Sequence, residues 1–241
     1  MRCFVIIFFL LLGRAVIDPQ NSAFSAPAGA DVNAGDGPAN VALHDELLKM
    51  GAVDQEYRTI LQNQYVKSPP KPGVPPSQET LDLIRKQQQA DDANIKRLEQ
   101  IVRQHGWPGK RLVGEDAGTS AFLIIQHADL KIQQKYLPML KHAASEGDAK
   151  PDEVAMLEDR VLMREGKKQM YGTQLHAGPE TGGKIVLYPI DDEQNVDKRR
   201  ASVGLGPIAE YLKQFNVEYH PPSPTTAPAQ TRPATRPSHP H

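Results

Sequence analysis

The stretch "AFLIIQHADLKIQQKYLP", Ala121 to Pro138, decides the fold. Its apolar run, Phe122-Leu123-Ile124-Ile125, reads as a buried segment that stops in the polar Gln126-His127-Ala128-Asp129. A second amphipathic run follows at once from Leu130. Two such runs with so short a junction predict consecutive helices, one from about Asp116 to His127 and the next from about Leu130 to Ser145.

The helical period extends to both sides. Leu43, Leu47 and Met50, then Tyr57, Ile60/Leu61 and Gln64/Tyr65, recur at three- and four-residue steps. The Pro-rich "KSPPKPGVPPS", Lys67 to Ser77, ends that helix in a surface loop. Ser77, with Glu79 and Thr80, opens another helix. It crosses the polar "KQQQADDAN" to Ile95, Leu98 and Val102 and stops at "HGWPG", His105 to Gly109. Downstream, "KPDE", Lys150 to Glu153, starts a helix with Pro151 in its first turn and Asp152 and Glu153 complementing its dipole; Gly166 suits its C-terminal cap. Beyond Gly166 the period shortens. "KQMYGTQLH" and "KIVLYPI" flank the Gly-rich "AGPETGG" and predict a β-hairpin near residues 169–189. "DDEQNVDKRRASVGLG" reads as a loop with a short turn, and Pro207 to Phe215 as a final short helix. The expected fold class is mainly α: a single helical domain over residues 41–219 with a small β-hairpin.

The ends differ in kind. "MRCFVIIFFLLL" has one early positive charge and then an unbroken apolar run. At about ten residues that run is shorter than the roughly 20 that cross a bilayer, so residues 1–30 read as a secretory signal peptide. Ala28-Gly29-Ala30 fits the small-x-small rule for cleavage but lies far beyond the apolar run, whereas Ala15-Val16-Ile17 is nearer and fits it less well. The expected location is therefore periplasmic or extracellular, and an uncleaved N-terminal segment would be the route to a membrane. Residues 31–40 read as a flexible leader, and 220–241, with seven prolines, as a disordered tail.

Composition narrows the function classes. The 241 residues hold 28 Lys and Arg against 29 Asp and Glu, interspersed, so no basic stripe offers itself to nucleic acid. The single cysteine, Cys3, precedes the apolar run, which leaves an exported chain without disulfides, thiolate zinc sites or a cysteine nucleophile. GxSxG, HExxH and P-loop patterns are absent. "DDEQNVD", Asp191 to Asp197, alternates oxygen side chains but lacks the sixth-position Gly and closing Glu of a calcium loop. No metal and no cofactor is expected.

His127 and Asp129 are the candidates for acid–base chemistry, since an imidazole oriented by a carboxylate can act as a general base. Residues two apart do not face one another on a helix, so the pair could meet only across a bend at Ala128. The alternative is a capping imidazole at a helix C-terminus. Asp159-Arg160 lies mid-helix among Met156, Leu157, Val161 and Leu162, which predicts pairing with an opposite charge on another helix, or a substrate-binding arginine. In "QMYGTQ", strand alternation places Gln169, Tyr171 and Thr173 on one face, and Gly172 allows a close approach.

These motifs come in a recognisable order: Asp54-Gln55 with Arg58, Asp91 with Asn94, Gly106-Trp107-Pro108, Gln126 to Asp129, Leu137-Pro138, Asp159-Arg160, Gln169 to Gln174, Val196 to Arg200, and Gly204-Leu205. The chain resembles, over about residues 43–213, a bacterial domain family of unknown function. The resemblance implies one domain and carries no activity. It also implies that Gln55, Arg58, Asn94, Trp107, His127, Asp129, Arg160, Tyr171 and Gln174 can converge on one cleft. The function expected is that of an exported domain binding a small molecule or an envelope protein. The alternatives are an exported hydrolase with His127 as general base and a structural or interaction protein with no small-molecule site.

Overall fold

The computed structural model describes residues 38–68, 74–177 and 181–220. Helix α1, Val41–Lys67, starts at Asn40, whose side chain accepts the Leu43 N–H at 3.0 Å. Helix α2, Gln78–His105, is capped by Ser77 and ends at Gly106, where φ is +76°. Its polar first half stays solvated, and it is buried only at Asn94, Leu98 and Ile101. A single-turn helix, α3 (Lys110–Val113), leads into α4 (Glu115–His127). Helix α5, Leu130–Ser145, continues through Pro138, and α6, Pro151–Arg164, begins with its proline. Helix α1 packs on α4 and α2, and α5 packs on α6. Leu47, Leu98, Ile101, Phe122, Ile125, Leu140 and Leu157 meet in the resulting core. Phe122, Ile124 and Ile125 thus lie at the centre of the helical layer, with the half-buried Leu123 packed against it.

The C-terminal part builds a second, smaller apolar cluster from Leu175, Ile190, Val196, Ile208 and Leu212. Strand β1 (Leu175–His176) pairs antiparallel with β2 (Val186–Leu187), in the register Leu175 with Leu187 and His176 with Val186. After a 3-10 turn at Glu193–Asn195 come α7 (Val196–Ser202) and α8 (Ile208–Lys213). The fold class is mainly α with one small hairpin, as expected.

Two local expectations differ from the structure. The hairpin pairs over two residues per strand, and the alternation expected across Gln169, Tyr171 and Thr173 does not form. Gly172 has φ +68°, which turns the chain out of the extended region. Val196–Ser202 is helical where a loop was expected, because Asp197 accepts the Ile208 N–H at 2.8 Å while Arg200 holds the carbonyls of Tyr171 and Gly206. Lys110–Val113 folds into a helical turn between Gly109 and Gly114. The signal-peptide reading of 1–30, most of the leader and nearly all of the tail lie outside the described residues. No described helix is long and apolar enough to cross a membrane.

The close approach expected at Gly172 is made by side chains. A Cβ there would stand 2.5 Å from Ile208 Cδ1 and 2.8 Å from Ile190 Cδ1, at a positive φ. Gly172→Ala is therefore expected to lose about 1–3 kcal/mol. Equilibrium denaturation would measure it, and a stability unchanged within error would show that the turn adapts freely.

Candidate functional site: a buried Asp–His–Arg cluster

The buried face of α1 runs Leu43, Leu47, Met50, Asp54, Arg58, Leu61. Helical spacing therefore carries a carboxylate and a guanidinium into the interior on the same stripe as the aliphatic residues. Asp54 is 2% exposed. Its Oδ2 lies 2.7 Å from His127 Nδ1, at the last residue of α4, and accepts a further bond from Gln55 Nε2 at 2.7 Å. Arg58 Nη2 reaches Asp91 Oδ1 on α2 at 2.6 Å and Asp54 Oδ1 more loosely at 3.4 Å. Asn94 donates to the Met50 carbonyl at 3.0 Å, which ties α2 to α1 beneath this group.

The C-terminal carbonyls of α4 take their donors from α5 and α6. Gln133 donates to the Gln126 carbonyl at 2.8 Å, Arg160 approaches the same oxygen at 3.4 Å, and Arg164 donates to the Ala128 carbonyl at 2.8 Å. Cationic donors at a helix C-terminus satisfy its orphan acceptors and complement its dipole.

Electrostatics set the protonation states. Burial would raise the Asp54 carboxyl, but the hydrogen bond from His127, the charge that His127 takes on in acid and the charge of Arg58 hold it below its ordinary value. Burial pushes the His127 imidazole below 6.5, and Asp54 reverses only part of that. Near neutrality the pair is thus a carboxylate and a neutral imidazole. Its Nδ1–H donates to Asp54, and the basic lone pair is on Nε2. Arg160 is pushed down to about 9, first by burial and then by the positive charges of Arg164 and Arg58.

Of the residues singled out in the sequence, Gln55, Arg58, Asn94, His127 and Arg160 come together here. Asp129 does not orient His127. It is the N-cap of α5, where its carboxylate accepts the Ile132 N–H at 2.9 Å, and the carboxylate on the imidazole is Asp54. Trp107 lies apart, on a cavity lined also by Thr119 and Glu153. Tyr171 and Gln174 belong to the loop held by Asp159. That carboxylate accepts the N–H groups of Met170, Tyr171 and Thr173 and the Thr173 hydroxyl, at 2.6–3.0 Å. The expected ion pair of Asp159 with another helix is thereby replaced by amide donors, since a folded-back loop supplies several at once. Among the described residues no three His, Cys, Asp or Glu side chains gather to hold a metal ion.

Asp54, Asp91 and Gln126 were not among the candidates, although signals for the first two existed. Asp54 extends the 43-47-50 stripe by one step of four. Asp91 stands three residues before Asn94 on the stripe that leads to Leu98 and Ile101.

The arrangement can do two things chemically. It can hold a base in a fixed tautomer, and it can offer guanidinium donors to an anion. Asp54→Ala leaves Arg58 and His127 without this carboxylate and is expected to cost about 3–5 kcal/mol in chemical denaturation. A loss below about 1 kcal/mol would show that the carboxylate is not the anchor described. Both shifts of the Asp54–His127 pair are downward, so both contributions to stability are full above the ordinary values and fade as acid is added. The melting temperature is expected to fall as pH drops below about 6.5 and again below about 4, with the upper step missing in His127→Gln. A wild-type profile flat from pH 7 to 5 would contradict the neutral, buried imidazole.

No curated protein and no solved structure matches the chain. A family model, described as a family of unknown function, DUF6624, matches residues 41–220, from the first residue of α1 to beyond α8. The chain belongs to that family.

Proposed function

We propose that the chain is an exported protein whose helical domain binds a small acidic ligand at the Asp54–Arg58–His127–Arg160 cluster. The observation that carries this reading is a complementary pair of buried atoms. Arg58 Nε, a donor, and Gln126 Oε1, an acceptor, are buried and make no hydrogen bond within the protein. Each such atom costs about 1–3 kcal/mol, so a domain that carries both has a reason to keep them. An acidic oxygen on a ligand would answer the Arg58 donor, and a hydroxyl or amide the Gln126 acceptor. The positive surplus around Arg160 favours an anion there. Export rests on the apolar N-terminal run after Arg2.

A second reading, an exported hydrolase, is favoured by the 2.7 Å contact of His127 with Asp54, which orients the imidazole as a general base. One experiment separates them. Purified protein is screened by thermal shift against small carboxylates, hydroxy acids and phosphate esters, and mixtures are followed by NMR for turnover. Under the binding reading a ligand raises the melting temperature of wild type by several degrees, without being consumed, and no longer does so in Arg58→Gln or His127→Gln. Consumption of the ligand that stops in His127→Gln selects the enzyme. If no compound acts and the variants only melt earlier, the cluster is structural and both readings fail. Export is checked by fractionation and N-terminal sequencing of the mature chain. Recovery of an intact Met1 in the cytoplasmic fraction would overturn it.

A further inference from the structure

A cavity of about 200 Å³ lies where the end of α2, the start of α4 and the α5–α6 connection meet. Along α4 it is roughly two turns from His127, as Thr119 on its wall shows. The wall is built rather than incidental. The Asp148 carbonyl accepts the Lys110 N–H at 3.0 Å, and its carboxylate accepts the Arg111 N–H at 2.7 Å, which locks α3 to the α5–α6 connection.

Glu153 reaches the cavity from the first turn of α6 and is 7% exposed. Its Oε1 accepts the Thr119 hydroxyl at 2.7 Å, while Lys150 Nζ stands 3.9 Å away, beyond hydrogen-bond reach. Lys150 Nζ instead lies 3.1 Å from Glu115 Oε1, and Lys110 Nζ 3.7 Å from Glu115 Oε2, so two lysines share one carboxylate and each has donors left over. The cavity thus has a buried carboxyl without a direct cationic donor, two lysines at its solvent side, and the chain's sole tryptophan, Trp107, on its wall.

We propose that this cavity binds a small zwitterion, with its ammonium on Glu153 beside Trp107 and its acidic group on Lys150 and Lys110. An ammonium supplies the donor that Lys150 does not reach, and an indole wall favours a cation. Two lysines share the one carboxylate of Glu115, so an acidic group on the ligand supplies the second anion, which a plain amine would not. The volume is below the roughly 300–1,000 Å³ of sites for drug-sized ligands, so the occupant has the size of a small amino acid. Burial pushes the Glu153 carboxyl up to about 7, against the pull of Thr119 and Lys150 and with the push of Asp152 and Glu115. Binding an ammonium therefore drives a proton off Glu153 at neutral pH.

The test uses the full chain and the fluorescence of Trp107, with glycine, L-alanine and L-serine as probes and methylamine and acetate as half-ligands. Calorimetry in two buffers of different ionisation enthalpy runs alongside, at pH 6.5–7.5. At least one amino acid is expected to bind saturably and at least ten-fold more tightly than either half. Proton release should accompany it. Glu153→Gln, which keeps an acceptor for Thr119, should weaken binding at least ten-fold and abolish the proton release, and Lys150→Gln should weaken it as well. His127→Gln should leave it unchanged, which keeps this site separate from the one proposed above. The proposal is overturned if no amino acid binds by either measurement, if a half-ligand binds as well as the zwitterion, or if wild type binds without releasing a proton. Wild-type affinity in Glu153→Gln would overturn it too.

Discussion

A carboxylate that is 2% exposed cannot stay ionised in a helical core unless cations and donors surround it, and Asp54 sets that condition for the whole domain. Its partners come from two helices. His127 sits at the end of α4, and Arg58, one turn on along α1, carries a second bond out to Asp91 on α2. The angular position of α1 against α4 and α2 is therefore held by directional bonds as well as by aliphatic packing. Leu47, Phe122 and Ile125 could slide past one another at small cost; the Asp54–His127 contact could not.

Helix α6 transmits this arrangement to the rest of the molecule. Two adjacent residues on it serve different modules: Arg160 turns to the C-terminal carbonyls of α4, and Asp159 gathers the amides of the loop from Met170 to Thr173. From that loop Arg199 takes the Met170 carbonyl and Arg200 the Tyr171 carbonyl, with the Arg200 guanidinium 5.1 Å from the centre of the Tyr211 ring. The small apolar cluster around Ile190 and Ile208 is thus fastened to the helical layer through main-chain polar groups. A two-residue hairpin is too short to be stable alone, and this fastening supplies the support.

The polar interior also separates two kinds of chemistry along α4. At its C-terminal end, burial and positive neighbours lower the pKa values of His127 and Arg160. Two turns earlier, burial raises Glu153 to about 7 beside Thr119. The same desolvation acts in opposite directions because it disfavours whichever form is charged.

How much of this could be read beforehand varies by element. The helical period, the cap at Ser77, the first-turn proline Pro151 and the apolar run 122–125 are local properties, so the mainly α class and the bounds of α4 and α5 follow from residue order alone. Polar membership in a stripe was legible too, since Asp54 and Arg58 continue the spacing of Leu43, Leu47 and Met50. What the residues by themselves did not determine is who meets whom. The imidazole lies 73 positions from its carboxylate, while the closer Asp129 is drawn off to cap a helix. Asp159 took amides from a turn rather than a charge from a helix, because a turn with a left-handed glycine presents several N–H groups in one direction. Period and capping are settled by neighbours within about four positions; partner choice inside a core is settled by which buried charges the packing of whole helices brings within about 3 Å.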